Sequence, residues 1–287
     1  MATGTGGDGV TIDHVTIAGA ELAQLERAFE RLGIDPDYGG SHDGLPTHMS
    51  IVGFEDRSYI ELIAKETSGT APYWNDAMGA NAGPCAWAAR SDTIDANVES
   101  LRATGIPVEG PDPYSRDRPD GSTARWRLAF LGDGEPGSLL PFLIEDETPL
   151  ERRAEPTPSA TDAGLVGIDS VVVAVSDIEA AVATVETAFG ESPPERSVVT
   201  TGPFAGTVAS FSTVPVHLVE PSASDPLTER LRTVGEGPCG FVLETADIEA
   251  IRNRVGSIQR TQLGLETVSV IDPEAIDGLA SLCLTER

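Results

Sequence analysis

Short apolar runs alternate along the chain with stretches in which apolar side chains recur every three or four residues, and the two patterns follow one another in a fixed order. Val10 to Ala18 reads as a strand. Glu21 to Leu32 follows as a helix, because Leu22, Leu25, Phe29 and Leu32 fall at helical spacing and Gly33 supplies a stop. Strand-like runs come next near Tyr38, at Met49 to Phe54 and at Tyr59 to Ala64. The order returns with strand Cys85 to Ala89, helix Ile94 to Thr104 closed by Gly105, a loop rich in Pro and Asp, and strands Arg125 to Leu131 and Leu139 to Ile144. A third round runs from Val166 through helix Ile178 to Phe189 to strand Val214 to Val219. The fourth runs from Gly240 through helix Ile248 to Val255 to strand Ala280 to Leu284. The pattern predicts an α+β protein made of one β-α-β-β-β unit used four times.

The four units form two copies of a pair. Ile12-Asp13-His14-Val15 returns as Ile168-Asp169-Ser170-Val171, Tyr59-Ile60-Glu61-Leu62-Ile63 as Pro215-Val216-His217-Leu218-Val219, and Gly83-Pro84-Cys85 as Gly237-Pro238-Cys239. The chain therefore divides into a flexible tail (1–9), a first domain (10–148, modules 10–65 and 83–146), a linker (149–164) and a second domain (165–287, modules 165–220 and 237–285). The linker reading rests on Pro149, Pro156 and Pro158 among Ser, Thr and Glu. The copies disagree where chemistry would sit, with Ser170 in place of His14 and His217 in place of Glu61.

Composition narrows the partners. Forty-six acidic residues against nineteen basic ones give a net charge of −27, and Lys65 is the sole lysine. Nucleic acid and anionic membranes need clustered positive charge and are poor partners for such a chain. No apolar run approaches a membrane span and no leader pattern opens the sequence, so a cytoplasmic protein is expected. The acidic, lysine-poor surface resembles that of halophilic proteins. It predicts loss of structure on dialysis into low-salt buffer and recovery when KCl is restored. A melting temperature that stays flat between about 0.1 and 2 M salt would contradict this. Cys85, Cys239 and Cys283 lie in apolar surroundings without metal-ligand spacing and read as core residues.

The paired modules, the Ile-Asp-His-Val opening strand and the Tyr-Ile-Glu-Leu-Ile closing strand resemble the vicinal oxygen chelate superfamily of glyoxalases, extradiol dioxygenases and bleomycin-resistance proteins. Ser41-His42-Asp43-Gly44-Leu45-Pro46-Thr47-His48, Ser115 to Gly121, Trp126-Arg127 and Pro141 to Ile144 are similar to its glyoxalase-like branch. The resemblance implies two tandem glyoxalase-like domains with cupped mixed sheets. It also implies a divalent metal (Zn, Ni, Mn or Fe(II)) and a small-molecule ligand, with function as a metal-assisted lyase, isomerase or dioxygenase. A non-catalytic sequestering protein of the bleomycin-resistance type is the alternative. Four modules in one chain already supply the pairing that shorter relatives reach by dimerising, so a monomer is expected, with a homodimer as the alternative.

Strand alternation tests the site. Ile12, His14 and Thr16 share a face, as do Tyr59, Glu61 and Ile63, so His14 and Glu61 can enter one cup as metal ligands. His48, in phase with Ser50 and Val52, is the candidate third ligand, while His42 reads as a loop residue beside Asp43 and Gly44. Glu61 is either a ligand or the catalytic base. The paired module offers Cys85, and then Phe142 or Leu143, at the matching positions. A metal site, a metal-free polar pocket and a satisfied core pair all remain open for His14 and Glu61. Arg116, Arg118, Arg125 and Arg127 cluster in a chain poor in cations. Arg116, Arg125 and Arg127 are candidates for holding an anionic substrate; the other reading is a solvated strand paired with Asp117 and Asp120. Trp87, in phase with Cys85, is expected to line the same cup.

Overall fold

The computed structural model describes residues 9–42, 44–118, 120–191, 193–222, 226–273 and 282–287. Most of the expected tail, Asp43 and Pro119 of the quoted motifs, and the expected start of the last strand at 280 and 281 lie outside these residues.

The first pair of modules runs β1 (Ile12–Ala18), α1 (Leu22–Glu30), β2 (Asp37–Ser41), β3 (Thr47–Gly53), β4 (Tyr59–Lys65), then α2 (Asn75–Ala80), β5 (Gly83–Arg90), α3 (Ile94–Ala103), β6 (Val108–Asp117), β7 (Thr123–Leu131) and β8 (Phe142–Asp146). A 3-10 turn (Leu150–Arg152) and α4 (Pro158–Asp162) form the connector. The second pair runs β9 (Leu165–Ala174), α5 (Ile178–Phe189), β10 (Glu195–Val199), β11 (Gly206–Ser210), β12 (Val216–Pro221), then α6 (Pro226–Val234), β13 (Gly237–Thr245), α7 (Ile248–Val255), β14 (Ile258–Leu263), β15 (Glu266–Ile271) and β16 (Leu282–Glu286).

Local chemistry accounts for the helices. Asp177 accepts hydrogen bonds from the N–H groups of Glu179 and Ala180 at the start of α5, and Gly190 ends it in the left-handed conformation. The periodic face of α1 buries Leu22, Leu25, Ala28 and Phe29. Each pair of modules yields one mixed eight-stranded sheet, in the order β2-β3-β4-β1-β5-β8-β7-β6 and β10-β11-β12-β9-β13-β16-β15-β14. Opening and closing strands of a module run parallel, and the two modules join through antiparallel β1 and β5, or β9 and β13. The first sheet curls until its two ends, β2 and β6, meet. Gly39 permits this approach, because a side chain there would strike the Met49 sulfur and reach 3.4 Å from Arg116 Nη1.

The stretch read as a loop rich in Pro and Asp contains strand β6. Pro111 and Pro113 cannot donate to a ladder, but β6 is an edge strand, and a register shift between Glu109 and Asp112 absorbs the irregularity. The connector, too, is more than a solvated spacer. Thr157 exchanges main-chain and side-chain hydrogen bonds with Gly53, and any side chain at Gly53 would collide with the carbonyl oxygen of Glu155. Between the halves, Arg230 donates to the carbonyls of both Pro84 and Pro238, stitching the two Gly-Pro-Cys segments together. Among the described residues no helix is long and apolar enough to cross a membrane.

Candidate functional site

The site begins with one surplus residue in β1. Ile12 pairs with Ala89 and His14 with Ala88, leaving Asp13 in a bulge. The bulge breaks strict alternation, so two consecutive side chains can meet: Asp13 Oδ1 lies 2.7 Å from His14 Nδ1. The Asp13 carboxylate is fully buried and accepts from Arg153 (2.6 and 2.9 Å) and from Arg90 Nε (3.1 Å). Burial alone would raise its pKa, but Arg153 and His14 outweigh that and hold it far below the usual carboxylate range. An ionised carboxylate can only accept. The His14 Nδ1 therefore carries the hydrogen, and the ring turns its Nε2 toward Glu61, 4.0 Å from Oε2.

Glu61 faces the same cup from β4. It accepts from Thr16 Oγ1 at 3.0 Å, and its Oε1 lies 3.5 Å from His42 Nε2. Burial pushes its pKa up, yet His42, His14 and Thr16 together bring it down to about 2. His42 Nδ1 is anchored at 2.9 Å to Thr47 Oγ1. Both imidazoles are thus fixed through Nδ1 and present Nε2 to one carboxylate. Among the described residues no three His, Cys, Asp or Glu side chains are already drawn together as a metal-binding group. The donors nonetheless suit a divalent cation in kind, being two imidazole Nε2 atoms and one carboxylate. Their separations of 3.5 and 4.0 Å are only slightly wider than the roughly 3.0–3.4 Å between neighbouring donors that bond lengths of about 2.1 Å imply.

These groups form the floor of a cavity of about 250 Å³. Its walls are largely aromatic and run in a chain of ring contacts: Tyr59 on His14 at 4.5 Å, His14 on Phe142 at 5.3 Å, Phe142 on Phe130 at 5.9 Å, and Phe130 on Tyr73 at 5.0 Å. Phe142 occupies the closing-strand position of the second module, so the cup receives no fourth ligand there.

The other expected residues divide. Arg116 lines the cup, but His48 does not: it pairs with Ala64 on the face opposite Glu61 and stands against Tyr38. His42 enters the cup instead, because its N–H continues the hairpin ladder to Thr47, whose side chain shares the Glu61 face. Trp87 is displaced by a second bulge. Thr16 pairs with Ala86 and Ile17 with Pro84, leaving Cys85 as the extra residue, and the phase beyond it sends Trp87 into the core packed under the helices. Trp74 and Trp126 line the cavity instead. Arg125 and Arg127 point away from the cup. Arg127 forks onto Asp95 at 2.7 Å and reaches Glu145 at 3.3 Å, so its acids come from α3 and β8. Cys85 donates to the Thr16 carbonyl, and burial raises its thiol pKa strongly, against a role as a thiolate ligand in this state.

Sequence reasoning missed Arg153 entirely. This connector residue is 2% exposed, and it holds Asp13, Asp146 (2.7 and 2.8 Å) and the Tyr59 oxygen (2.8 Å) at once. An Arg in a Pro-rich segment gives no periodic signal. The nearest hint is three charged residues, Glu151, Arg152 and Arg153, inside an otherwise uncharged stretch from Thr148 to Ala154.

The second cup has lost this set. Val172 stands beside His217 where Thr16 stands beside Glu61, and Phe204, Val208, Leu263 and Val268 pack its concave face. His217 is buried with Nδ1 2.8 Å from Ser210 Oγ, and burial lowers its pKa to about 4. An unfolded chain, with the histidine at about 6.5, therefore binds the extra proton between those values, and the fold loses stability as pH falls through that window. The loss is about 3 kcal/mol by pH 4. His217→Gln should flatten the slope between pH 6.5 and 5 in urea unfolding; an unchanged slope would show that His217 is not its source.

The comparisons agree with this architecture. The glyoxalase-like domain family matches residues 12–189, which takes in the first sheet, the connector and α5. No functionally curated protein matches the sequence. Among solved structures, a hypothetical protein from Staphylococcus aureus superposes with a TM-score of 0.65 at 14% identity, covering 97% of this chain and 100% of that one. A mutant 4-hydroxymandelate synthase from Streptomyces coelicolor gives 0.64 at 14% identity over 97% and 92%. A Mn(II)-bound glyoxalase from Novosphingobium aromaticivorans gives 0.55 at 13% identity over 97% and 82%. At such identities the likeness is one of fold. With a family match over more than half its length and two curled βαβββ sheets beneath it, the chain belongs to the glyoxalase-like domain family of the vicinal oxygen chelate superfamily.

Proposed function

We propose that the first cup is the working site of a metal-assisted lyase, isomerase or dioxygenase acting on a small, oxygenated, anionic molecule. The observation that carries this is the convergence of His14, His42 and ionised Glu61, each imidazole tied back through Nδ1, at the floor of an apolar cavity. The Mn(II)-bound glyoxalase and the 4-hydroxymandelate synthase among the structural neighbours support it by analogy of fold. A divalent ion held there would act as a Lewis acid on two neighbouring substrate oxygens. Glu61 would serve either as a ligand to that ion or as the base that takes a substrate proton. Asp13 fixes the His14 tautomer, and Arg116 offers a cation to the substrate. The aromatic walls exclude water from the reacting group.

The second reading is a protein that sequesters a small molecule without turnover, favoured by Phe142 at the position of a fourth ligand. Elemental analysis and thermal melts separate the two. The enzyme reading expects close to one equivalent of divalent transition metal per chain. Re-addition after chelation should raise the melting temperature by about 5 °C or more, as saturating binding adds about 3 kcal/mol at a hundredfold excess over Kd. A protein that stays metal-free and shows no thermal shift with Mn, Fe, Ni or Zn would favour sequestration.

A further inference from the structure

Arg116 is a buried cation whose surroundings leave it incompletely satisfied. It is 2% exposed and lines the cup from β6, yet among the described residues no carboxylate stands within ion-pair distance of it. Its Nη2 donates to the carbonyl of Arg153 at 2.8 Å, its Nη1 contacts the Met49 sulfur at 3.1 Å, and its Nε has no partner. Its nearest opposite charge in the cup, Glu61, acts on it from beyond ion-pair distance, while neighbouring Arg153 is gripped by two aspartates. A buried charge in that state is costly, and an anion entering the cup relieves it.

The rest of the lining sets the remainder of the ligand. Tyr114 stands two residues before Arg116 on the same face of β6, about 7 Å along the strand, and pairs with Trp126 of β7. Phe130 lies beyond, in contact with Tyr114, Tyr73 and Phe142. The cavity therefore sets the Arg116 guanidinium beside a run of ring faces, which Phe142 carries down to the His14 floor. We infer that the first cup selects an aryl monocarboxylate, its anionic group on Arg116 and its ring between Tyr114, Trp126 and Phe130. This rests on the proposed working site and names the substrate class that site takes. It does not depend on the identity of the metal.

Calorimetric titration with 3-phenylpropanoate tests it, set beside 3-phenylpropanamide, which lacks the charge, and propanoate, which lacks the ring. Tightest binding is expected for the aryl acid, with each control at least about tenfold weaker, the loss that one charge-assisted contact or one buried ring implies. Arg116→Gln should remove the preference for acid over amide, while Arg127→Gln, outside the cup, should leave all three affinities unchanged. If Arg116→Gln does not fold, judged by circular dichroism, the comparison of the three ligands on the unaltered protein still decides. Equal affinities for acid and amide, or for aryl and alkyl acid, would overturn the inference. Metal content measured on the same samples separates this from failure of the proposed function. Metal bound at the floor with no preference for the aryl acid sinks only the ligand class, whereas selective binding by metal-free protein sinks only the metal.

Discussion

Arg153→Ala should destabilise the first half by about 3–5 kcal/mol, the usual cost of removing one partner from a buried ion pair. Its guanidinium makes five hydrogen bonds at 2.6–2.9 Å, to Asp13, Asp146 and Tyr59. Truncation leaves the Asp13 carboxylate in the interior with only Arg90 and His14 beside it. The contrasting variant is Arg127→Ala. That residue also holds two acids, but Asp95 is exposed and solvent screens the pair, so a loss of at most about 1 kcal/mol is expected. Urea unfolding of the two variants makes the comparison. Similar losses would show that the connector is merely laid over the sheet. The effect should also reach the site. An Asp13 no longer clamped holds the His14 ring less firmly, and loss of such a supporting partner lowers metal affinity about ten- to a hundredfold.

The connector also explains why part of the site was legible in the sequence and part was not. The repeat and the helical periodicities located the four modules, and helices at Ile178 to Phe189 and Ile248 to Val255 form with those bounds. Period-two alternation placed His14 and Glu61 in one cup because no irregularity separates them from the strand pairing that matters, Thr16 with Glu61. Alternation failed where a bulge intervened. One surplus residue at Cys85 turned Trp87 from the cup to the core, and its repeat at Cys239, between Pro238 and Gly240, leaves no trace in hydropathy. On β7, phase correctly opposed the arginines to Trp126, Leu128 and Phe130, but not which face was concave. That depends on the curl of the sheet, a property of eight strands together. Arg153 acts across 140 residues from Asp13, and no local pattern encodes such a contact.

The choice between His42 and His48 turned on the hairpin that joins β2 to β3. With Ser41 paired to His48, His42 falls opposite Thr47 and shares the face that Thr47, Met49 and Ile51 present to the cup. A reading that starts from strand phase alone selects His48, since it lies within β3 and His42 just outside β2. The two histidines therefore offer a test in which composition, net charge and location in the chain are nearly constant.

Metal affinity in the His42→Ala and His48→Ala variants tests the centre most directly. Titrating Mn(II) or Co(II) into each metal-stripped variant, the account predicts that His42→Ala, like His14→Ala and Glu61→Ala, loses at least about a hundredfold in affinity, since one of three protein ligands is gone. His48→Ala and His217→Ala should bind as the unaltered protein does. Full affinity in His42→Ala together with loss in His48→Ala would contradict the assignment of the centre to His14, His42 and Glu61.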